Sequence, residues 1–513
     1  MGRTRWVVCG AGLLLCQAFS CSGTGDTGDT GDTGDTGDTG DTEGMVCAVA
    51  EVVPAIRLVG PPFVAPRSIV SGDIDGDGAP DLVLGAPGLY DDVASAIGRT
   101  YVIGAIASRA EPTLADAAAL VIVGEGPGHL VGDPVEVVGD VNGDGLDDLL
   151  IGTSWRCQDC GDLCSECSNG PFRDYLVHGR AEPGEVALAH VAAGDGGFVL
   201  EPPDPTSTAG RLFAPLGDLN GDGLADFAIA PRPSSVGSAV IFVVFGTSDT
   251  APIDLAAIGG GGGGGYQIVS EWADGAVSCG GDSLSAMRAA GDVNGDGLVD
   301  LVLGACGLDE GGRAYVVFGK ASTGEVRLED VAAGKGQGFA LLSDCGELAY
   351  CYTGQVVAPT GDINGDGLAD VAVSAPNLRP LESSFSTTGR AYIVLGKASS
   401  EPVTLGDLSR GLVIDGSQEV GSELRGDGTD LDGDGAPDLI VSDGAGGFAL
   451  VSGPAPGSTV RLGDPGAEWL TNEGYPVVIP DLDCDGRSEL GFFEFTQSFQ
   501  LMIDLADKWF KGG

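Results

Sequence analysis

The chain has 513 residues, with 25 Lys and Arg against 75 Asp and Glu, a formal charge of −50, 89 glycines and 6 % aromatic residues. That charge repels nucleic acid and anionic lipid surfaces and excludes both as partners. The length exceeds one small core and no segment sustains apolar spacing of three and four, which excludes a helical bundle and leaves strands joined by many turns.

Residues 1–20 read as a secretory signal. Arg3 and Arg5 precede an apolar run from Trp6 to Leu15, and small residues Ala18 and Ser20 stand before Cys21. The run is too short for a membrane span. Cys21 resembles the lipid-modified cysteine of bacterial lipoproteins, since it follows the apolar run and precedes a polar tract; Ala18-x-Ser20 equally suits ordinary signal cleavage. Residues 21–45 then repeat Thr-Gly-Asp. A three-residue period without apolar positions cannot bury a face, so this is a disordered tether reaching about 25 to 30 Å. The expectation is an exported protein, secreted or held at the outer membrane or cell surface, touching membrane through a lipid anchor alone.

From about residue 46 to 513 one motif recurs seven times, at starts 67, 78, 74, 70, 68 and 51 residues apart. Its oxygen-bearing residues are Asp73, Asp75, Asp77 and Asp81; Asp140, Asn142, Asp144 and Asp148; Asp218, Asn220, Asp222 and Asp226; Asp292, Asn294, Asp296 and Asp300; Asp362, Asn364, Asp366 and Asp370; Asp430, Asp432, Asp434 and Asp438; and Asp481, Asp483, Asp485 and Glu489. Around each copy lie four apolar segments of 4 to 8 residues bounded by Gly, Asp or Pro, which predicts four strands per unit. The last unit offers three such segments, and an orphan, "AIRLVG" at 55–60, precedes the first motif. The spacing therefore predicts an all-β, seven-bladed β-propeller with four antiparallel strands per blade, the N-terminal strand closing the last blade and leaving no free sheet edge.

The order "GDVNGDGLVDLVLGA" followed by "GRAYVVFGK" resembles the FG-GAP repeats of the integrin alpha-chain N-terminal propeller, across all seven copies. That resemblance implies calcium loops between the first and second strands of a blade. The chain departs from the family in keeping a loop in every copy, and in often reducing the FG element to "GF" or "GY".

The residues support calcium independently. Carboxylates or amides at positions 1, 3, 5 and 9 gather hard oxygen ligands around one point, a backbone carbonyl is available at 7, and Gly at 6 permits the sharp turn. Up to seven structural ions would move the charge from −50 to −36. A helix-loop-helix site fails at position 12, where a bidentate Glu belongs. Leu84, Ile151, Ile229, Leu303, Val373, Val441 and Phe492 stand there, so position 12 is expected in a buried strand.

Export makes disulfides the default. Cys279 with Cys306, and Cys345 with Cys351, fall in connections opposite the calcium loops; Cys47 and Cys484 lie on the calcium side and can latch the closure. "CQDCGDLCSEC" (Cys157, Cys160, Cys164, Cys167) admits two disulfides or a zinc site. The "RGD" at 425–427 is a three-residue coincidence, the glycines at 259–265 are slack between strands three and four, and His129, His178 and His190 read as exposed loop histidines. No constellation nominates a catalytic centre. The expected function is a monomeric, non-enzymatic surface module binding protein or glycan. A lectin-like role, with Trp155 and Trp272 stacking on sugars, and a propeller hydrolase or lyase are the alternatives.

Overall fold

The computed structural model describes residues 68–462 apart from 88–96, 105–117, 127–128, 154–172, 204–207, 233–237, 260–262, 272–283, 308–310, 346–347, 350, 381–387, 408–410, 417–418, 427, 432–434, 444–446 and 453–458, together with strand segments at 7–9, 12–14, 56–59, 467–470, 475–479, 489–495 and 499–504. The signal, tether and lipidation readings, Cys47, Cys157, Cys160, Cys164, Cys167, Cys279, Cys484, Trp155, Trp272 and most of the seventh loop lie outside the described residues. Within the first twenty residues, Val7–Cys9 pairs with Gly12–Leu14.

Beyond that pair, the strands form seven sheets that follow one another along the chain. The fourth sheet shows the pattern. Ala286–Gly291, Asp300–Ala305, Arg313–Val317 and Gly338–Leu342 lie antiparallel, and Leu303 sits between Met287 on one side and Tyr315 on the other. "DLVLGA" is buried at every position, as expected of a strand covered on both faces. The period of two decides where its side chains go: Leu301, Leu303 and Ala305 pack with the third sheet, whereas Val302 packs with the fifth. Comparable clusters join the first sheet to the second, the second to the third and the fifth to the sixth. The first six sheets are thus stacked face to face in chain order.

The first strands of successive sheets pack against one another from Ser68–Gly72 through Leu424–Arg425, and Tyr475–Ile479 of the seventh sheet packs against Ser68–Gly72. The orphan segment takes its expected partner: Ile56–Val59 runs antiparallel to Phe499–Asp504, with Ile56 opposite Ile503.

One feature departs from the expectation of four antiparallel strands. Five sheets gain a short fifth strand, parallel to the fourth and supplied by the following repeat. Gly184–Ala187 joins Leu120–Val123, Ile253–Asp254 joins Gly197–Glu201, Val326–Arg327 joins Gly265–Glu271, Val403–Thr404 joins Gly338–Leu342, and Thr459–Arg461 joins Gly411–Gly416. The reason is the exposed edge of the fourth strand, whose unpaired N–H and C=O groups would otherwise face solvent. In three cases the added strand turns directly into a helical turn, Leu188–Val191, Leu255–Gly259 or Leu328–Ala332.

Candidate metal centres

Each acidic motif lies between the first and second strands of its sheet, and six of the seven fall wholly or largely among the described residues. In the second loop, Asp140 at position 1 accepts the backbone N–H groups of Gly143, Asp144 and Gly145 at 2.6, 3.0 and 2.8 Å. Asp144 at position 5 accepts that of Leu146 at 3.0 Å, and Asn142 Oδ1 accepts that of Asp144 at 2.8 Å. Asp218, Asp292 and Asp362 repeat the position-1 pattern with Gly223, Gly297 and Gly367. The chain is therefore wound around its first carboxylate.

Position 9 is different in kind. Asp81, Asp148, Asp226, Asp300, Asp370 and Asp438 are all buried. One oxygen of each accepts the N–H of position 2: Ile74 at 2.8 Å, Val141 at 3.0, Leu219 at 2.8, Val293 at 2.9, Ile363 at 3.1 and Leu431 at 2.7. In four loops the other oxygen accepts the N–H of the glycine two residues past the third strand: Gly179 at 2.9 Å, Gly246 at 2.7, Gly319 at 2.8 and Gly396 at 2.7. Such charge-assisted bonds are worth about 1.5 to 3 kcal/mol each. Burial, with neighbouring loop carboxylates adding to it, pushes Asp81, Asp148, Asp300 and Asp370 up to about 7 and Asp226 to about 6, against the opposing pull of the backbone N–H groups. A cation beside them would reverse that shift.

The glycine is required by space. A Cβ on Gly319 would stand 2.3 Å from the carbonyl oxygen of Val299, and one on Gly246 would stand 2.7 Å from that of Ala225. In the second strand, a Cβ on Gly304 would stand 2.0 Å from the carbonyl oxygen of Gly354, at the next sheet. Both glycines mark places where a neighbouring backbone comes too close for a side chain.

The loops also bond to one another. Asp147 N–H donates to the Asp73 carbonyl at 3.0 Å, Ala225 to Asp140 at 2.8 Å and Ala369 to Asp292 at 2.9 Å, so position 8 of one loop holds position 1 of the loop before it. Position 12 is as expected: Leu84, Ile151, Ile229, Leu303, Val373 and Val441 are fully buried in their strands.

The first loop fits a cation on two further observations. Asp73, Asp75 and Asp81 each present a carboxylate oxygen, all within 4.8 Å of one another. Asp81 Oδ1 is buried and has no hydrogen-bond partner. This is an all-oxygen donor set with one buried acceptor left over, as a hard divalent ion requires.

The opposite ends of the sheets carry the connections from strand two to three and from strand four to the next sheet. Here Cys345 is bonded to Cys351, as expected. Cys306 is also disulfide-bonded, to a cysteine outside the described residues. Sequence reasoning missed a recurrent tie at this end. Tyr175 donates to Glu125 Oε1 at 2.6 Å while Arg173 bonds both the tyrosine hydroxyl and Glu125; Tyr392 donates to Asp344 Oδ1 at 2.8 Å while Arg390 bonds Asp415 at 2.6 Å. In each, a third-strand tyrosine reaches an acid on the connection from the preceding sheet. The signal was the Arg-x-Tyr pair that opens four third strands, at Arg99, Arg173, Arg313 and Arg390.

The histidines correct the sequence expectation. His129 is buried at 3 % exposure, lies edge-on to Tyr175, and its Nδ1 accepts the Glu125 N–H at 3.4 Å. His178 is half-buried edge-on to Phe198, and His190 alone of the three is exposed. The hydrophobic surroundings of the tyrosine tie and of Phe198 drew the first two inward. Arg425 of the "RGD" lies in the first strand of the sixth sheet, paired with Glu423 at 3.4 Å. No helix among the described residues is long and apolar enough to cross a membrane.

The FG-GAP repeat family matches residues 65–103 and 353–394. Integrin alpha-4 of Xenopus laevis is 29 % identical over 164 residues, 31 % of this chain and 14 % of that protein. Integrin alpha-IIb of Homo sapiens is 34 % identical over 167 residues, 30 % of this chain and 14 % of its own, and integrin alpha-V of Gallus gallus is 25 % identical over 229 residues, 44 % and 19 %. The matched part is thus less than a fifth of each relative. A solved structure titled "Structure of Dos1 propeller" covers 84 % of this chain and 77 % of its own, at TM-score 0.36 and 9 % identity, too remote to bear on function.

Proposed function

The chain carries FG-GAP repeats in an integrin-alpha-like, all-β propeller arrangement, and we propose that it is a calcium-stabilised ring of seven blades that serves outside the cell as a non-enzymatic binding module for a surface protein or glycan. The observation that carries the calcium reading is the first loop, where buried Asp81 Oδ1 is left without a partner beside Asp73 and Asp75. Oxygen donors alone, on a flexible turn, suit calcium better than magnesium, which demands a tight octahedron, or transition metals, which favour nitrogen and sulfur. Repetition of the same donor positions extends the reading to seven ions.

Closure of the ring is supported by the pairing of Ile56–Val59 with Phe499–Asp504 and by the packing of Tyr475–Ile479 on Ser68–Gly72. The ligand is assigned to the end opposite the loops. The connections there vary in length and carry the Cys345–Cys351 bridge, whereas the loop end is committed to its own hydrogen bonds. Export by the N-terminal segment, with anchoring through Cys21, completes the reading.

The test is calorimetric titration of calcium into the chelator-stripped full chain, with thermal melts before and after. Saturable uptake with a raised melting temperature is expected, and a melt indifferent to chelation would overturn the structural role of calcium. Affinity capture from surface extracts, with and without calcium, then tests the binding role.

A further inference from the structure

Two residues beyond each position-9 acid, the second strand pairs with one residue of the first strand. By that register Val70, Glu136, Ala214, Arg288, Ala358 and Arg425 occupy one layer of the innermost strands. Ala214 and Ala358 are buried, whereas Arg288 and Arg425 are exposed. Small apolar neighbours and two arginines thus share a level, in a chain with three times as many acids as bases.

The two guanidiniums are underused by the protein. Arg288 Nη1 donates to the carbonyl of Met287 at 2.8 Å, and Arg425 meets Glu423 at 3.4 Å. Among the described residues no carboxylate forms an ion pair with Arg288. Each guanidinium has five N–H donors in a rigid fork, and among the described residues one donor on each is taken. The two side chains also feel one another: enclosure by the protein lowers Arg425's hold on its proton, Glu423 opposes this, and the Arg288 charge adds to the lowering. Glu136 is pushed up to about 7 by enclosure, with Arg288 pulling it down. On the ring reading, these two exposed guanidiniums, carried at one level on the first strands of the fourth and sixth sheets, stand around a common axis.

We propose that Arg288 and Arg425 form a binding site for one small oxyanion in the axial passage of the propeller, with Glu136 limiting its affinity. Paired guanidinium forks match the oxygen geometry of sulfate or carboxylate, and repulsion between the two arginines is relieved when an anion sits between them. The inference rests on the ring reading, which brings the innermost strands of the second, fourth and sixth sheets around one axis.

Sulfate and succinate, titrated calorimetrically into the calcium-loaded full chain, test the site and separate a tetrahedral from a carboxylate ligand. One saturable site is expected for at least one of them. Arg288→Gln should weaken it at least about tenfold, and Glu136→Gln should tighten it. No saturable binding of either anion, or unchanged affinity in Arg288→Gln, would overturn the proposal; an unchanged affinity in Glu136→Gln would count against the shared layer. Calcium uptake is read on the same samples, so failure of the metal reading registers separately from failure of this one.

Discussion

Asp300 and Gly319 lie nineteen residues apart, and Oδ1 of the aspartate accepts the backbone N–H of the glycine at 2.8 Å. Through that bond the acid that closes the loop also fastens the end of the third strand. Its other oxygen holds Val293 at 2.9 Å, inside the loop itself. One buried carboxylate therefore ties three segments of a sheet together, and the same group stands beside the other oxygen-bearing residues of the candidate site.

Gly319→Ala should be costly. Its Cβ would be forced to 2.3 Å from the Val299 carbonyl, and overpacking against backbone costs about 1 to 3 kcal/mol. Gly126, whose Cβ would meet nothing within 4 Å, is the control and should tolerate alanine within about 0.5 kcal/mol. Denaturant midpoints of the two variants check the contrast.

Asp300→Asn and Asp296→Asn should separate the clamp from the ligand role. The first places an amide against two N–H donors in a buried site and should cost about 1.5 to 3 kcal/mol in the presence of chelator. The second removes the charge of an exposed side chain whose Oδ1 accepts the Leu298 N–H at 2.9 Å, and should cost less than about 1 kcal/mol. Both should lower calcium stoichiometry by one. Equal losses of stability would show that position 9 is no clamp.

Tyr392→Phe removes the donor to Asp344 and should cost about 1 to 2 kcal/mol, a charge-assisted bond partly backed up by Arg390 at 3.6 Å. Thermal melts, with Tyr175→Phe as the matching change at Glu125, measure the tie between adjacent sheets.

Anion binding in the axial layer should strengthen as pH falls. Glu136, pushed up to about 7, is charged above that value and neutral below it, so protonation raises the net charge of the layer from +1 to +2 when counted over Glu136, Arg288 and Arg425. Sulfate affinity should rise between about pH 8 and 6, and Glu136→Gln should flatten the profile.

The strands and the loops were legible because they repeat. Position 12 announced its own burial through seven apolar residues in seven copies, and six are fully buried. The fifth strand was less visible because its period changes partway. In "EVALAHV", "PIDLAAI" and "EVRLEDV" the apolar spacing is first two and then three, strand followed by helical turn. Val186, Leu188 and Val191 are buried in that pattern, but neither template alone matches it. The third-strand glycine stands in the recurring "GRAYVVFGK" segment, but its cause, a backbone at contact distance and a carboxylate accepting its N–H, is a long-range fact no local window contains. His129 was misread for the same reason, since the acid and tyrosine beside it come from different segments.

The borrowed fifth strand also sets an order of events during synthesis. Leu120–Val123 receives its outer partner from Gly184–Ala187, roughly 60 residues later, and at about 5 to 20 residues per second that is a wait of about 3 to 12 seconds. Each of these five sheets therefore leaves the ribosome with a bare flank until the next repeat appears. Ile56–Val59 waits about 440 residues, in the same sense, for Phe499–Asp504. The nascent chain passes through a succession of unfinished edges, and the strand that began the wait is among the last to end it.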